Sequence, residues 1–100
     1  MQPQQRTWQA LLEQGAPELL KDVTRVRESL LTDGALSLKV KTLMMLLCAA
    51  LLAHPDGVAN IAKRARALGA SDAEIGETVA VAFLMGGLPA LVTGSSAFRD

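Results

Sequence analysis

Residues Leu43 to Ala53 read LMMLLCAALLA, eleven positions without a charge. The run predicts a buried central helix over residues 38 to 53, with Ser37 as its N-cap and Lys39 and Lys41 as its last charges. A helix apolar on every side must be covered on every side. One hundred residues supply few covering helices, so part of the cover is expected from another subunit. Cys48 lies inside the run and reads as a small buried hydrophobe, because nothing basic stands near it to activate the thiol.

The run hands over to His54-Pro55-Asp56-Gly57 and then to a basic amphipathic stretch ending at Gly69. Pro55 suits a first helical position, and Asp56 beside it complements the positive end of the helix dipole. Val58, Ile61, Ala62, Ala65 and Leu68 form the inward face of this second helix, and Gly69 supplies its stop. Lys63, Arg64 and Arg66 fall outside that stripe, where they form a solvated basic face or bind an anionic ligand.

Working outward, Thr7 caps a short helix through Gln14, ended by Gly15. Met1 to Gln5 is polar and expected to fray. Pro17 opens another helix, in which Leu19, Val23, Val26 and Leu30 recur at helical spacing while Lys21, Arg25 and Glu28 face water. Asp33-Gly34 is expected to end it. On the other side, Ser71-Asp72-Ala73-Glu74 is a capping box that starts a helix with Ile75, Val79, Ala82 and Phe83 inward. Gly76 inside that helix costs about 1 kcal/mol against Ala and suggests a close helix–helix approach. Gly86 to Pro89 reads as a turn, and Pro89 to Val92 as the start of a last short helix.

Composition agrees with an all-α domain of about five or six helices spanning residues 1–100. Half the residues are apolar, but only Trp8, Phe83 and Phe98 are aromatic, so the core is aliphatic. Ten basic and ten acidic residues cancel, which removes a global electrostatic drive toward nucleic acid. The apolar run is shorter than the roughly 20 residues that span a bilayer, and no leader pattern opens the sequence. A cytoplasmic protein without membrane association is the expectation. No metal-ligand cluster or phosphate loop stands out, and no cofactor is expected.

Two stretches carry a family resemblance. Asp33-Gly-Ala-Leu-Ser-Leu-Lys-Val-Lys-Thr-Leu43 resembles the segment leading into the central helix of the carboxymuconolactone decarboxylase family, which includes the alkylhydroperoxidase D-like proteins. Ala65-Arg-Ala-Leu-Gly-Ala-Ser-Asp-Ala-Glu-Ile-Gly-Glu77 is similar to that family's helix end, Gly-Ala-Ser turn and following helix start, and Phe83 to Ala90 continues the match. The resemblance covers roughly residues 17 to 98. It implies an alkylhydroperoxidase D-like helical bundle that assembles as a homotrimer or homohexamer, and the surplus apolar surface points the same way.

The redox branch of that family uses Cys-x-x-Cys-x-x-x-His and an upstream Glu. Registered on the Gly-Ala-Ser turn, these positions fall at His54, Gly57, Ile61 and Thr42, and none matches. The chemistry needs one thiolate to attack peroxide, a second thiol to resolve the sulfenic acid and a proton relay. With Cys48 the only cysteine, thiol peroxidase activity is not expected. Three readings then stand. The first is a non-redox member binding a small anionic molecule near the His54 turn, with Lys41, Asp56, Asn60 and Arg64 as candidate ligand contacts. The second is a cofactor-free decarboxylase or isomerase with His54 as the catalytic acid or base and cations, Lys39 among them, holding carboxylates. The third is a non-catalytic oligomeric interaction protein, with Ile61 filling the place of the family's histidine.

Overall fold

Side-chain caps begin three of the six α-helices in the computed structural model, which describes residues 7–100. The order is α1 (Trp8–Gly15), α2 (Pro17–Leu30), α3 (Leu38–Leu51), α4 (Pro55–Ala67), α5 (Asp72–Gly86) and α6 (Leu88–Gly94), then a 3-10 turn (Ser95–Phe98). Among the described residues there is no strand. The expectation for residues 1 to 5 lies outside the described residues. Thr7 accepts from the Ala10 N–H at 3.1 Å, and Ser37 from the Val40 N–H at 3.1 Å. At α5 the capping box is complete: Ser71 Oγ accepts from the Glu74 N–H at 3.1 Å, and Glu74 Oε1 accepts from the Ser71 N–H at 2.9 Å. Proline sits in the first turn of α2, α4 and α6, where a missing N–H costs nothing.

Two helices end earlier than their sequence suggests. α2 stops at Leu30 rather than at Asp33. Asp33 instead serves the next helix, its carboxylate accepting from the Leu38 N–H at 2.7 Å. α3 stops at Leu51 rather than at Ala53. Ala53 takes a left-handed φ of 60°, and the turn closes with His54 N–H donating to Ala49 O at 3.0 Å and Ala53 N–H to Ala50 O at 3.3 Å. That is a Schellman ending, normally built on glycine. α4 ends the same way on Gly69, with Ala70 N–H donating to Ala65 O at 2.9 Å.

The chain divides into two compact units, Met1–Thr32 and Asp33–Asp100. In the first, α1 and α2 form a hairpin in which Arg27 lies 5.4 Å over the Trp8 ring. None of the residues of these two helices is buried. Leu19, Val26 and Leu30 are each more than half exposed, along one line of α2.

In the second unit α3 is central and packs against α4, α5 and α6. Leu46, Val58 and Ile75 are fully buried, and alanines from α3, α4, α5 and α6 let the helices approach around them. Val58, Ile61, Ala62 and Ala65 face inward as their spacing predicts, but Leu68 is exposed. So is Phe83, which the α5 spacing had placed inward. Cys48 is exposed as well, contrary to its reading as a buried hydrophobe. The buried face of α3 carries Thr42, Leu46, Ala49 and Ala50, and Cys48 lies on the opposite side of the helix. Close approach occurs at other glycines than Gly76, where an added Cβ would meet only Phe98 Cζ at 4.0 Å. At Gly86 it would lie 2.6 Å from Leu51 Cδ2, and at Gly94 2.8 Å from Val79 Cγ1. Among the described residues no helix is long and apolar enough to cross a membrane.

Candidate functional site

The corner between α3 and α4 sets the positions that sequence reasoning singled out. His54 is the N-cap residue of α4, exposed, and its imidazole makes no capping hydrogen bond. Gly57 follows one turn into the helix; an added Cβ there would sit 3.4 Å from His54 Cβ and 4.0 Å from Ala49 Cβ. The next turn brings Ile61, which is buried. Thr42 on α3 is buried too, and its hydroxyl donates to Leu38 O at 2.8 Å within its own helix. Both interior positions are therefore occupied by groups that carry no transferable charge. Among the described residues no buried side-chain nitrogen or oxygen lacks a hydrogen-bond partner.

The polar groups gather on the outer face of α4 instead. Asp56 and Asn60 line a recess of about 320 Å³ together with Ala59, Lys63, Arg99 and Asp100. Positions 56, 60 and 63 share one helical face, and the chain end supplies the opposite wall. Arg99 donates to Asp56 Oδ1 at 2.8 Å. Arg66 fixes the segment that carries Arg99: its guanidinium donates to Ala97 O and to Asp72 Oδ1, each at 3.0 Å, and lies 5.9 Å over the Phe98 ring. Arg66 is thus a structural clamp rather than part of a free basic face.

The predicted residues divide accordingly. Asp56 and Asn60 are brought together. His54 and Arg64 are exposed on the same segment but do not line the recess. Lys41 is remote: it is half-buried near Gly34, its Nζ 3.7 Å from where a Gly34 Cβ would be. Roughly 15 Å of α3 separate it from Leu51, before the corner even begins. Lys39 is engaged with Glu74, donating to Oε2 at 2.9 Å. Sequence reasoning missed Arg99. It meets Asp56 from 43 positions away, a pairing that no local pattern signals. No group of His, Cys, Asp or Glu side chains among the described residues is arranged to hold a metal ion.

A second concavity runs between α3 and α5. It has a volume of about 350 Å³, with Val40, Leu43, Met44, Leu47 and Val81 as its apolar lining and Glu74 and Glu77 on the α5 side.

Comparison with known families finds one model, described as the carboxymuconolactone decarboxylase family, that matches residues 17–100. The chain belongs to the carboxymuconolactone decarboxylase family. The match runs from the first residue of α2 to the last residue of the sequence and leaves α1 outside it. No curated protein and no solved structure matches the chain.

Proposed function

We propose that this protein is a non-redox member of its family that binds a small anionic molecule on the α4 face beside the His54-Pro55 turn, and that it self-associates. One observation carries the non-redox part. The four positions that registration assigns to the thiols, histidine and glutamate hold His54, Gly57, Ile61 and Thr42. Ile61 and Thr42 are buried, and the one thiol, Cys48, lies on the far side of α3. No disulfide cycle within a chain is available to a single cysteine.

Support for an anionic ligand comes from Lys63 and Arg99 in the recess, Arg64 exposed nearby in sequence, and the free N–H groups at the start of α4. A carboxylate would compete with Asp56 for Arg99, so a weak, salt-sensitive affinity is expected. A thermal-shift screen of small mono- and dicarboxylates tests this. The reading predicts a rise in Tm that Lys63→Ala or Arg99→Ala diminishes without changing helix content. A ligand whose affinity survives both substitutions would remove the site.

The non-catalytic reading has its own support in the burial of Ile61 and in the exposed Leu84, Met85, Leu88 and Val92, which suit an interaction protein. The decarboxylase or isomerase reading has less, because His54 is exposed and does not line the recess shared by Asp56 and Asn60. Self-association is tested by light scattering at micromolar concentration, where the reading expects a mass well above 10.6 kDa.

A further inference from the structure

We infer that the ligand of the α4 recess is a zwitterion, an α-amino acid, whose ammonium pairs with Asp56 while its carboxylate takes Arg99 and Lys63. This rests on the anion reading above and names the chemical class of the molecule bound there.

The recess carries both signs of charge. Lys63 and Arg99 are cationic, Asp56 and Asp100 are anionic, and Asn60 offers an amide that both donates and accepts. These formal charges cancel, so the recess as a whole gives a simple anion little long-range attraction. The local arrangement decides the class. Arg99 Nη1 stands 2.8 Å from Asp56 Oδ1, and the two side chains stay open to solvent, 48% and 89% exposed. A lone carboxylate on Arg99 either displaces Asp56 or sits beside it, and two carboxylates around one guanidinium repel. An α-amino acid removes that conflict. Its ammonium and carboxylate are adjacent, as the Asp56 carboxylate and the Arg99 guanidinium are. Laid against that pair in the opposite order, it meets each charge with its complement.

Two further features suit such a ligand. Lys63 lies about 10 Å along α4 from Asp56. Among the described residues it makes no ion pair, so its ammonium is available to the same ligand carboxylate. The backbone under Arg99 is also held before any ligand arrives. Arg66 donates to Ala97 O at 3.0 Å, and Ala97 is buried. A guanidinium on an anchored segment loses less freedom on binding. At about 320 Å³ the recess stands at the small end of ligand sites, which fits one amino acid.

Three probes on one carbon frame test the class: L-alanine, propionate, which lacks the ammonium, and ethylamine, which lacks the carboxylate. Amide chemical shifts of residues 56–63 and 97–100 report binding to the wild-type protein. L-Alanine is expected to bind about two- to fivefold more tightly than either of the others, the gain that one exposed ion pair supplies. Asp56→Asn should weaken L-alanine and strengthen propionate, because it removes the partner of the ammonium and the repelling carboxylate together. Arg99→Ala should weaken both. The comparison of probes on wild type stands without any variant. Propionate or ethylamine bound as tightly as L-alanine would overturn the zwitterion, and weakening of propionate by Arg99→Ala would then leave the anion site in place. No shift with any probe, or affinities that Arg99→Ala and Lys63→Ala both leave unchanged, would overturn the anion site itself.

Discussion

Lys39 and Glu74 stand 35 positions apart and meet at 2.9 Å, joining the start of α3 to the start of α5. The same carboxylate closes the α5 capping box. The Ser71 backbone N–H first, and the Lys39 ammonium next, hold the Glu74 carboxyl below its ordinary value of 4.5. A depressed carboxylate contributes stability that is present above its unfolded value and is lost as pH falls through the folded one. Wild type should therefore be more stable than Glu74→Gln above pH 4.5, with the difference shrinking as pH falls below it. Urea unfolding of both proteins across this range checks the sign. A gap that widens on acidification would contradict it.

The corner at Ala53 yields a second prediction. A residue with a Cβ in the left-handed region costs about 1 kcal/mol or more, and glycine does not bear that cost. Ala53→Gly should raise stability by about 0.5–1 kcal/mol, the larger unfolded-state entropy of glycine offsetting part of the relief. Thermal unfolding that shows a lower Tm would mean that the φ of 60° is not strained.

Two glycines in α5 should respond in opposite directions. Gly76 has room for a methyl group, with nothing nearer than 4.0 Å, so Gly76→Ala should stabilise by about 0.5–1 kcal/mol through helix propensity. At Gly86 the methyl would lie 2.6 Å from Leu51 Cδ2 and 2.9 Å from Ala90 Cβ. Gly86→Ala should destabilise by about 1–3 kcal/mol from overpacking. Denaturant midpoints of the two variants, measured in parallel, would contradict the packing if they moved the same way.

These glycines mark the boundary of what the sequence disclosed. Starts of helices were legible because they are local: Thr7, Ser37 and Ser71 each cap within three residues, and Pro17 and Pro55 fall in first turns. The Gly69 stop was legible for the same reason. The end of α3 was not, because Ala53 occupies the left-handed position without being glycine. The faces of α3 and α5 were also hidden. In a charge-free run every side looks alike, so nothing local distinguished exposed Cys48 and Phe83 from buried Ala49 and Ala82. In the candidate site, Asp56 and Asn60 shared a turn-to-turn spacing that sequence can show. Arg99 reached them through a tail held by Arg66, a tertiary contact that it cannot.

Exposure of Cys48 makes the chemical test more demanding, since an accessible thiol can react with oxidants even without a resolving partner. The decisive measurement is hydroperoxide consumption with a dithiol reductant, by wild type and by Cys48→Ser. The account predicts background rates from both, with the same Tm and helix content. Multiple turnovers by wild type that Cys48→Ser abolishes in a folded protein would contradict it.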